Sequence, residues 1–147
     1  MNTKTILLVE DNQSDIELTK RALSKANICN KLVVAEDGQE ALDYLFGTGH
    51  YASRDALPSI ALILLDLKLP NVNGLGVLKR IRTDGRTKRL PVVILTSSME
   101  EEDIIAGYEL GANSYIQKPV DFLKFAEAIK TLGLYWLVFN KLPPLGK

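Results

Sequence analysis

Four short aliphatic runs, at 5–9, 31–35, 60–65 and 92–95, limit what this chain can fold into more than any other feature. They are rich in Ile, Leu and Val without polar alternation, the pattern of a strand covered on both faces, as in a parallel sheet. A fifth, weaker run lies at 114–117. Between the runs, apolar residues fall at helical spacing: Ile16, Leu18, Ala22, Leu23 and Ala26, then Ala41, Leu42 and Leu45, then Leu75, Leu78 and Ile81. Strand and helix alternate along the whole chain, so the expected fold is α/β. Right-handed crossovers would build an open parallel sheet with helices on both faces.

A length of 147 residues suits one domain, and a separate output module is not expected. With 46% hydrophobic and 24% charged residues, the chain should bury an ordinary globular core. The 18 basic side chains balance 18 acidic ones, so no global field draws the protein to nucleic acid or to an anionic membrane. The single Cys29 cannot form an internal disulfide and is expected to be a small packing residue. The start lacks a signal peptide's apolar region, and no apolar stretch approaches the roughly 18 residues of a membrane span. A cytoplasmic protein is therefore expected.

Local punctuation sets the boundaries. Asp37 with Gly38 and Asn73 with Gly74 precede the second and third helices, Ser97 and Ser98 are candidate N-caps for the fourth, and Gly111 closes it. Glu100, Glu101, Glu102 and Asp103 then occupy a first turn, where the helix dipole favours negative charge. The stretch 47–58 reads as a long surface loop with His50 exposed.

In an open α/β sheet, ligands bind beyond the carboxyl ends of the strands. There the sequence puts Glu10 and Asp11 after strand one, Asp66 after strand three, Thr96 and Ser97 after strand four, and Lys118 after strand five. If strands one and three are neighbours, the three carboxylates come together and raise one another's pKa unless a cation intervenes. A hard divalent ion such as Mg²⁺, which prefers oxygen ligands, suits them. Lys118 is a point charge, and Thr96 with the Ser97 amide supplies donors, for a phosphoryl or carboxylate oxygen. Metal, lysine and hydroxyl around one aspartate make a phosphoryl-transfer site, with Asp66 as candidate nucleophile. A charge directly after Leu62, Ile63, Leu64 and Leu65 is costly unless the strand delivers it to a polar site. Taken singly, Asp11 can merely cap the first helix, Lys118 can be a solvated strand end, and Tyr115 can be an ordinary strand aromatic.

The strings LVEDN at 8–12, DGQEAL at 37–42, DLKLPNVNG at 66–74, LTS at 95–97 and GANSYIQKP at 111–119 occur in order. With them, and with the usual spacing from Asp66 to Thr96 and on to Lys118, the chain over 4–132 resembles the receiver domains of two-component response regulators. The resemblance implies a flavodoxin-like, doubly wound (βα)5 fold with strand order 2-1-3-4-5. It implies a receiver domain over 1–140, with 141–147 as a flexible tail.

The resemblance also implies a function: a signalling domain and no enzyme beyond its own phosphorylation and dephosphorylation. Asp66 would take a phosphoryl group from a sensor histidine kinase, forming an aspartyl phosphate. Asp11 and Asp66, with the backbone carbonyl of Lys68, would bind Mg²⁺ directly and Glu10 through water. Lys118 and Thr96 would each hold a phosphoryl oxygen. Glu10 departs from the aspartate of many members but still supplies a carboxylate. Phosphorylation adds about 1.5 to 2 negative charges. Thr96 is then expected to move inward and Tyr115 to fill the space it leaves, altering the surface of the fourth helix, fifth strand and fifth helix. Lys68 and Ser98, two residues beyond Asp66 and Thr96, flank the path of an attacking water and are expected to tune the phosphoryl lifetime. The bond from Lys118 to Pro119 is expected to be cis, as is frequent in the family.

After Asp121, Phe122, Phe125, Ala126, Ile129 and Leu132 mark an amphipathic helix, and 134–139 is apolar on every side. Such a run suits a homodimer or partner contact through the fifth helix, against the simpler reading that it folds back over the sheet edge. Together with the long loop before strand three, it is similar to regulators paired with bacterial phytochromes, which implies a phytochrome-type kinase. The basic cluster of Lys79, Arg80, Arg82, Arg86, Lys88 and Arg89 reads as a solvated face, with docking of an acidic partner as the alternative. Two other functions stay open. One is a Mg²⁺-dependent phosphatase resembling the haloacid dehalogenases, which need an acid where this chain has Lys68. The other is a receiver-like adaptor that is never phosphorylated. Direct DNA binding is not expected, because no helix-turn-helix has room after Phe139.

Overall fold

The structure is a computed structural model and describes residues 4–53, 58–98, 100–118 and 122–133. Strands β1 (Thr5–Val9), β2 (Leu32–Ala35), β3 (Ile60–Leu65), β4 (Val92–Thr96) and β5 (Ser114–Gln117) alternate with five helices. These are α1 (Gln13–Lys25), α2 (Gly38–Phe46), α3 (Gly74–Thr83), α4 (Glu101–Glu109) and α5 (Phe122–Gly133). All neighbouring strands pair in parallel, in the order β2-β1-β3-β4-β5. This is the expected flavodoxin-like, doubly wound sheet.

The unbroken apolar runs are explained by packing on both faces. Ile6 and Leu8 of β1, with Leu62 and Leu64 of β3, pack on Ile16, Ala22 and Leu23 of α1 and on Ala126 and Ile129 of α5. The residues between them, Leu7, Val9, Ile63 and Leu65, pack on Tyr44 and Leu45 of α2 and on Val77, Leu78 and Ile81 of α3. Every residue of β1 and β3 is buried. Burying one such side chain contributes about 1.5–3 kcal/mol, so these two strands form the stiff centre from which the loops project.

Helix starts settle one alternative and correct one expectation. The Asn12 side chain, not Asp11, caps α1 by accepting from the Asp15 amide at 3.0 Å, which leaves the Asp11 carboxylate uncommitted to the helix. Neither Ser97 nor Ser98 is the N-cap of α4. The backbone is still extended at Glu100, which takes that place without a side-chain cap. Asp37 and Asn73 cap α2 and α3 as expected, at 2.7 Å and 2.9 Å from the amides they satisfy. Gly111 closes α4 with a φ of +100°, a conformation that favours glycine.

Cys29 is a further correction. It is exposed in the turn between α1 and β2, outside both halves of the core, with its thiol directed at the Asn27 carbonyl at 3.8 Å. His50 is exposed, as expected, in a single 3₁₀ turn at Gly49–Tyr51. The basic cluster divides. Arg80 and Arg86 share Asp84, at 3.1 Å and 2.9 Å, and lie over the Phe46 ring. Arg82 instead turns inward. Its guanidinium donates to the carbonyls of Lys88 (3.0 Å), Leu90 (2.6 Å) and Gly111 (2.8 Å) and to the Asn113 side chain (2.9 Å). The expected contact through 134–139, the tail at 141–147 and the bond from Lys118 to Pro119 lie outside the described residues. So do the side chains of Phe122, Phe125 and Leu132.

Gly74 has a packing reason to be glycine. A Cβ there would stand 2.2 Å from the Asp66 carbonyl oxygen and 2.6 Å from the Leu67 Cα, both backbone atoms. Gly74→Ala is therefore expected to push α3 from the end of β3 and to lower stability by about 1–3 kcal/mol. Urea unfolding checks this, and an unchanged midpoint would contradict the close approach.

Candidate functional site

The sheet register builds the site. Val9 of β1 is level with Leu65 of β3, so the next residues, Glu10 and Asp66, emerge side by side. The ladder carries on past the strand ends: the Glu10 amide donates to the Ala35 carbonyl at 2.9 Å and the Asp66 amide to the Val9 carbonyl at 3.0 Å. At the other side the Lys118 amide donates to the Thr96 carbonyl at 2.7 Å, fixing the backbone from which the lysine reaches back across β4.

The structure brings together Glu10, Asp11, Asp66 and Lys118, as the sequence led one to expect. Oxygens of the three acids lie within 4.8 Å of one another. Glu10 and Asp66 are buried and Asp11 is exposed. The Lys118 ammonium stands 2.6 Å from Glu10 Oε1, 2.8 Å from Asp15 Oδ2 and 3.2 Å from Asp66 Oδ2. Asp66 Oδ1 accepts from the Lys68 amide at 3.4 Å, while the Lys68 side chain is exposed. Glu10 Oε2 accepts from the Asn12 amide at 3.2 Å.

Asp15 is the member that sequence reasoning missed. It is the third residue of α1, placed over the lysine once Asn12 caps the helix. A first-turn acid has a sufficient explanation in the helix dipole, which hid its second partner. Its place one turn after the strand-one acids was the available signal.

Burial dominates the electrostatics. It pushes the Glu10 carboxyl up to about 7, with the Asp66 charge adding to the rise and Lys118 opposing it. Burial alone would lower the Lys118 pKa, but the hydrogen bonds it donates to Asp15 and Glu10 and the Asp66 charge outweigh it, so the ammonium is held above its ordinary range. Four carboxylates against one ammonium leave the pocket negative. Three hard oxygen donors so close, two of them desolvated, fit a divalent cation, which would remove the repulsion that burial intensifies.

Thr96, Ser98 and Tyr115 form the adjoining wall. Thr96 is fully buried, and its Oγ1 accepts from the Ser98 amide at 3.4 Å. The Ser98 hydroxyl donates to Asp103 Oδ2 at 2.5 Å, joining the loop to the first turn of α4. The Tyr115 hydroxyl, whose pKa burial raises, donates to the Ser98 carbonyl at 3.0 Å. The Tyr115 amide donates to the Tyr108 hydroxyl at 3.1 Å, so α4 and β5 are tied through both tyrosines.

Comparison with known proteins agrees with this geometry. A family model described as the response regulator receiver domain matches residues 6–130. The response regulator Rcp1 of Synechocystis sp. is 38% identical over 140 residues, which are 95% of this chain and 93% of Rcp1. The Mn²⁺-bound structure of Rcp1 superposes with a TM-score of 0.85, covering 95% of this chain and 99% of that one. The phosphorylated cyanobacterial phytochrome response regulator RcpA gives a TM-score of 0.88 at 40% identity, covering 97% of this chain and 99% of that one. Buried acids and a lysine at the ends of a 2-1-3-4-5 sheet, and likeness to such proteins over nearly their whole length, lead to one conclusion: this chain belongs to the response regulator receiver domains of two-component signalling.

Proposed function

We propose that Asp66 is the phosphoacceptor and that the domain signals by phosphorylation-dependent binding to other proteins. A carboxylate oxygen of Asp66 attacks the phosphorus of a phosphohistidine on a sensor histidine kinase. The P–N bond breaks, its electron pair stays on the imidazole nitrogen, and an aspartyl phosphate forms. The observation that carries this reading is the buried Asp66 carboxylate held between an amide and the Lys118 ammonium, beside two further acids. Asp11, Asp66 and the Lys68 carbonyl would hold Mg²⁺, with Glu10 acting through water. When bound, the ion offsets the charge that builds on the transferring group. Lys118 and Thr96 each take a phosphoryl oxygen. Lys68 and Ser98 tune how long the group persists.

Thr96 and Tyr115 are the switch in this reading. The Thr96 hydroxyl accepts only a long 3.4 Å contact from the Ser98 amide, so little holds it once a phosphoryl oxygen offers an acceptor for its own hydrogen. As Thr96 moves inward, Tyr115 follows and the α4–β5–α5 surface changes. A coupling of about 1–3 kcal/mol alters partner affinity roughly 5- to 150-fold. The relatives named as phytochrome response regulators favour a phytochrome-type kinase as the donor, acting in the cytoplasm. Among the described residues no helix is long and apolar enough to cross a membrane. The receiver unit is taken as 1–140, with a homodimer through α5 and 134–139. Lys68, in place of the second acid, disfavours the phosphatase reading, and the assembled acid site disfavours an adaptor that is never phosphorylated.

Acetyl phosphate with Mg²⁺ is expected to label the protein through a hydroxylamine-labile bond, and Asp66→Asn to abolish the label; a mutant that still labels moves the acceptor elsewhere. Magnesium at 100 times its Kd should raise unfolding stability by about 2.7 kcal/mol, and Asp11→Asn should remove most of that gain at the same concentration. Equal stabilisation of both proteins in thermal melts would put the ion elsewhere. Trp136→Ala is expected to weaken self-association in sedimentation velocity, and an unchanged profile with a wild type that is already monomeric rejects the dimer.

A further inference from the structure

We propose that Asp15 is a positioning residue that competes with the phosphoryl group for the Lys118 ammonium, and so restrains phosphorylation of Asp66. The inference rests on the reading of Asp66 as phosphoacceptor. An ammonium has three donor hydrogens, and those of Lys118 face three carboxylates: Glu10 at 2.6 Å, Asp15 at 2.8 Å and Asp66 at 3.2 Å. The bond to Asp15 is shorter than the bond to the acceptor itself. A phosphoryl group on Asp66 offers new oxygens to this ammonium, and Asp15 is the rival acceptor outside the metal-type cluster. Among the described residues that cluster takes in Glu10, Asp11 and Asp66 and leaves Asp15 out. A divalent ion would therefore offset the charges of the other acids, while Asp15 keeps only the lysine.

Local structure holds Asp15 in this post. Its amide is capped by the Asn12 side chain at 3.0 Å, and its carbonyl accepts from the buried Thr19 hydroxyl at 2.8 Å. The Cα is thus fixed at the start of α1 and the carboxylate reaches a lysine from the far end of the sheet. Its side chain is 32% exposed, against 3% for Glu10 and 8% for Asp66, so water can resolvate Asp15 when the lysine leaves. That makes it the acid released at least cost. Until release, it draws the ammonium from the incoming group and adds a negative charge close to a dianion.

The test uses beryllofluoride, a non-covalent phosphoryl mimic, with the full chain in saturating Mg²⁺. Asp15→Asn is expected to bind beryllofluoride on the order of three- to tenfold more tightly and to label faster with acetyl phosphate. Its affinity for Mg²⁺ alone should move less than twofold, and Asp15→Glu, which keeps the competing carboxylate, should stay near wild type. Asp15→Ala must move in the same direction as Asn. In a Lys118→Ala background the gain from Asp15→Asn should vanish, because the effect runs through the lysine. Unchanged or weaker beryllofluoride binding by Asp15→Asn and Asp15→Ala overturns the proposal. So does an equal gain in Mg²⁺ affinity, or a gain that survives without Lys118. A wild type that neither labels nor binds the mimic rejects Asp66 as acceptor instead, so the two failures are distinct.

Discussion

One ammonium holds the working end of this molecule together. Glu10 and Asp66 are carboxylates with almost no contact with water, placed side by side by strand register. Taking such charges out of water costs several kcal/mol each unless a partner compensates. Lys118, arriving from β5 at the sheet edge and crossing over β4, is that partner in the absence of a bound cation. Strand order, the hydrogen bond that pins the lysine backbone to Thr96, and the length of the lysine stem all serve this one contact. Burial keeps the arrangement tense, since Glu10 retains a raised pKa even with the lysine beside it. A site in that condition responds strongly to any added charge, which is what a receiver requires.

Hydrogen bonds lead from the pocket wall to α4 and β5. The loop after β4 is held from two sides, by Asp103 on the Ser98 hydroxyl and by Tyr115 on the Ser98 carbonyl. A shift of Thr96, two residues earlier, as the proposed switch has it, would therefore pull on the first turn of α4 and on β5 together. Ile105 and Tyr108 of α4 are about half exposed, so the elements that would move already present apolar surface to a partner.

The layered fold and the principal acids could be read from the sequence because their signals admit few interpretations. An aliphatic run without polar alternation has to be covered on both faces, and a carboxylate at its end has to be received by something. Asp15 and Arg82 were not read correctly for the opposite reason. An acid in a first helical turn and an arginine in a basic cluster are ordinary surface features, and what distinguishes these two is a long-range partner that only the folded chain supplies. Ser97 and Ser98 misled as caps because the residue type favours capping, whereas the N-cap is Glu100, where the backbone is extended and no side chain caps the helix. Cys29 was assigned to the core by its general preference for burial, although it falls in a turn where neither half of the core reaches.

Arg82 gives the domain a fixed foot. One guanidinium gathers the carbonyls of Lys88 and Leu90 before β4 and of Gly111 after α4, while the Asn113 side chain it contacts also receives the Val92 amide at 2.8 Å. These groups lie at the sheet's opposite end from the acid pocket. The C-terminal end of α4 is thus pinned, and its N-terminal end hangs on Ser98. A helix pinned at that end would act as a lever: a small tug beside the pocket would become a tilt that grows with distance from the hinge, without slackening the sheet on which the helix packs.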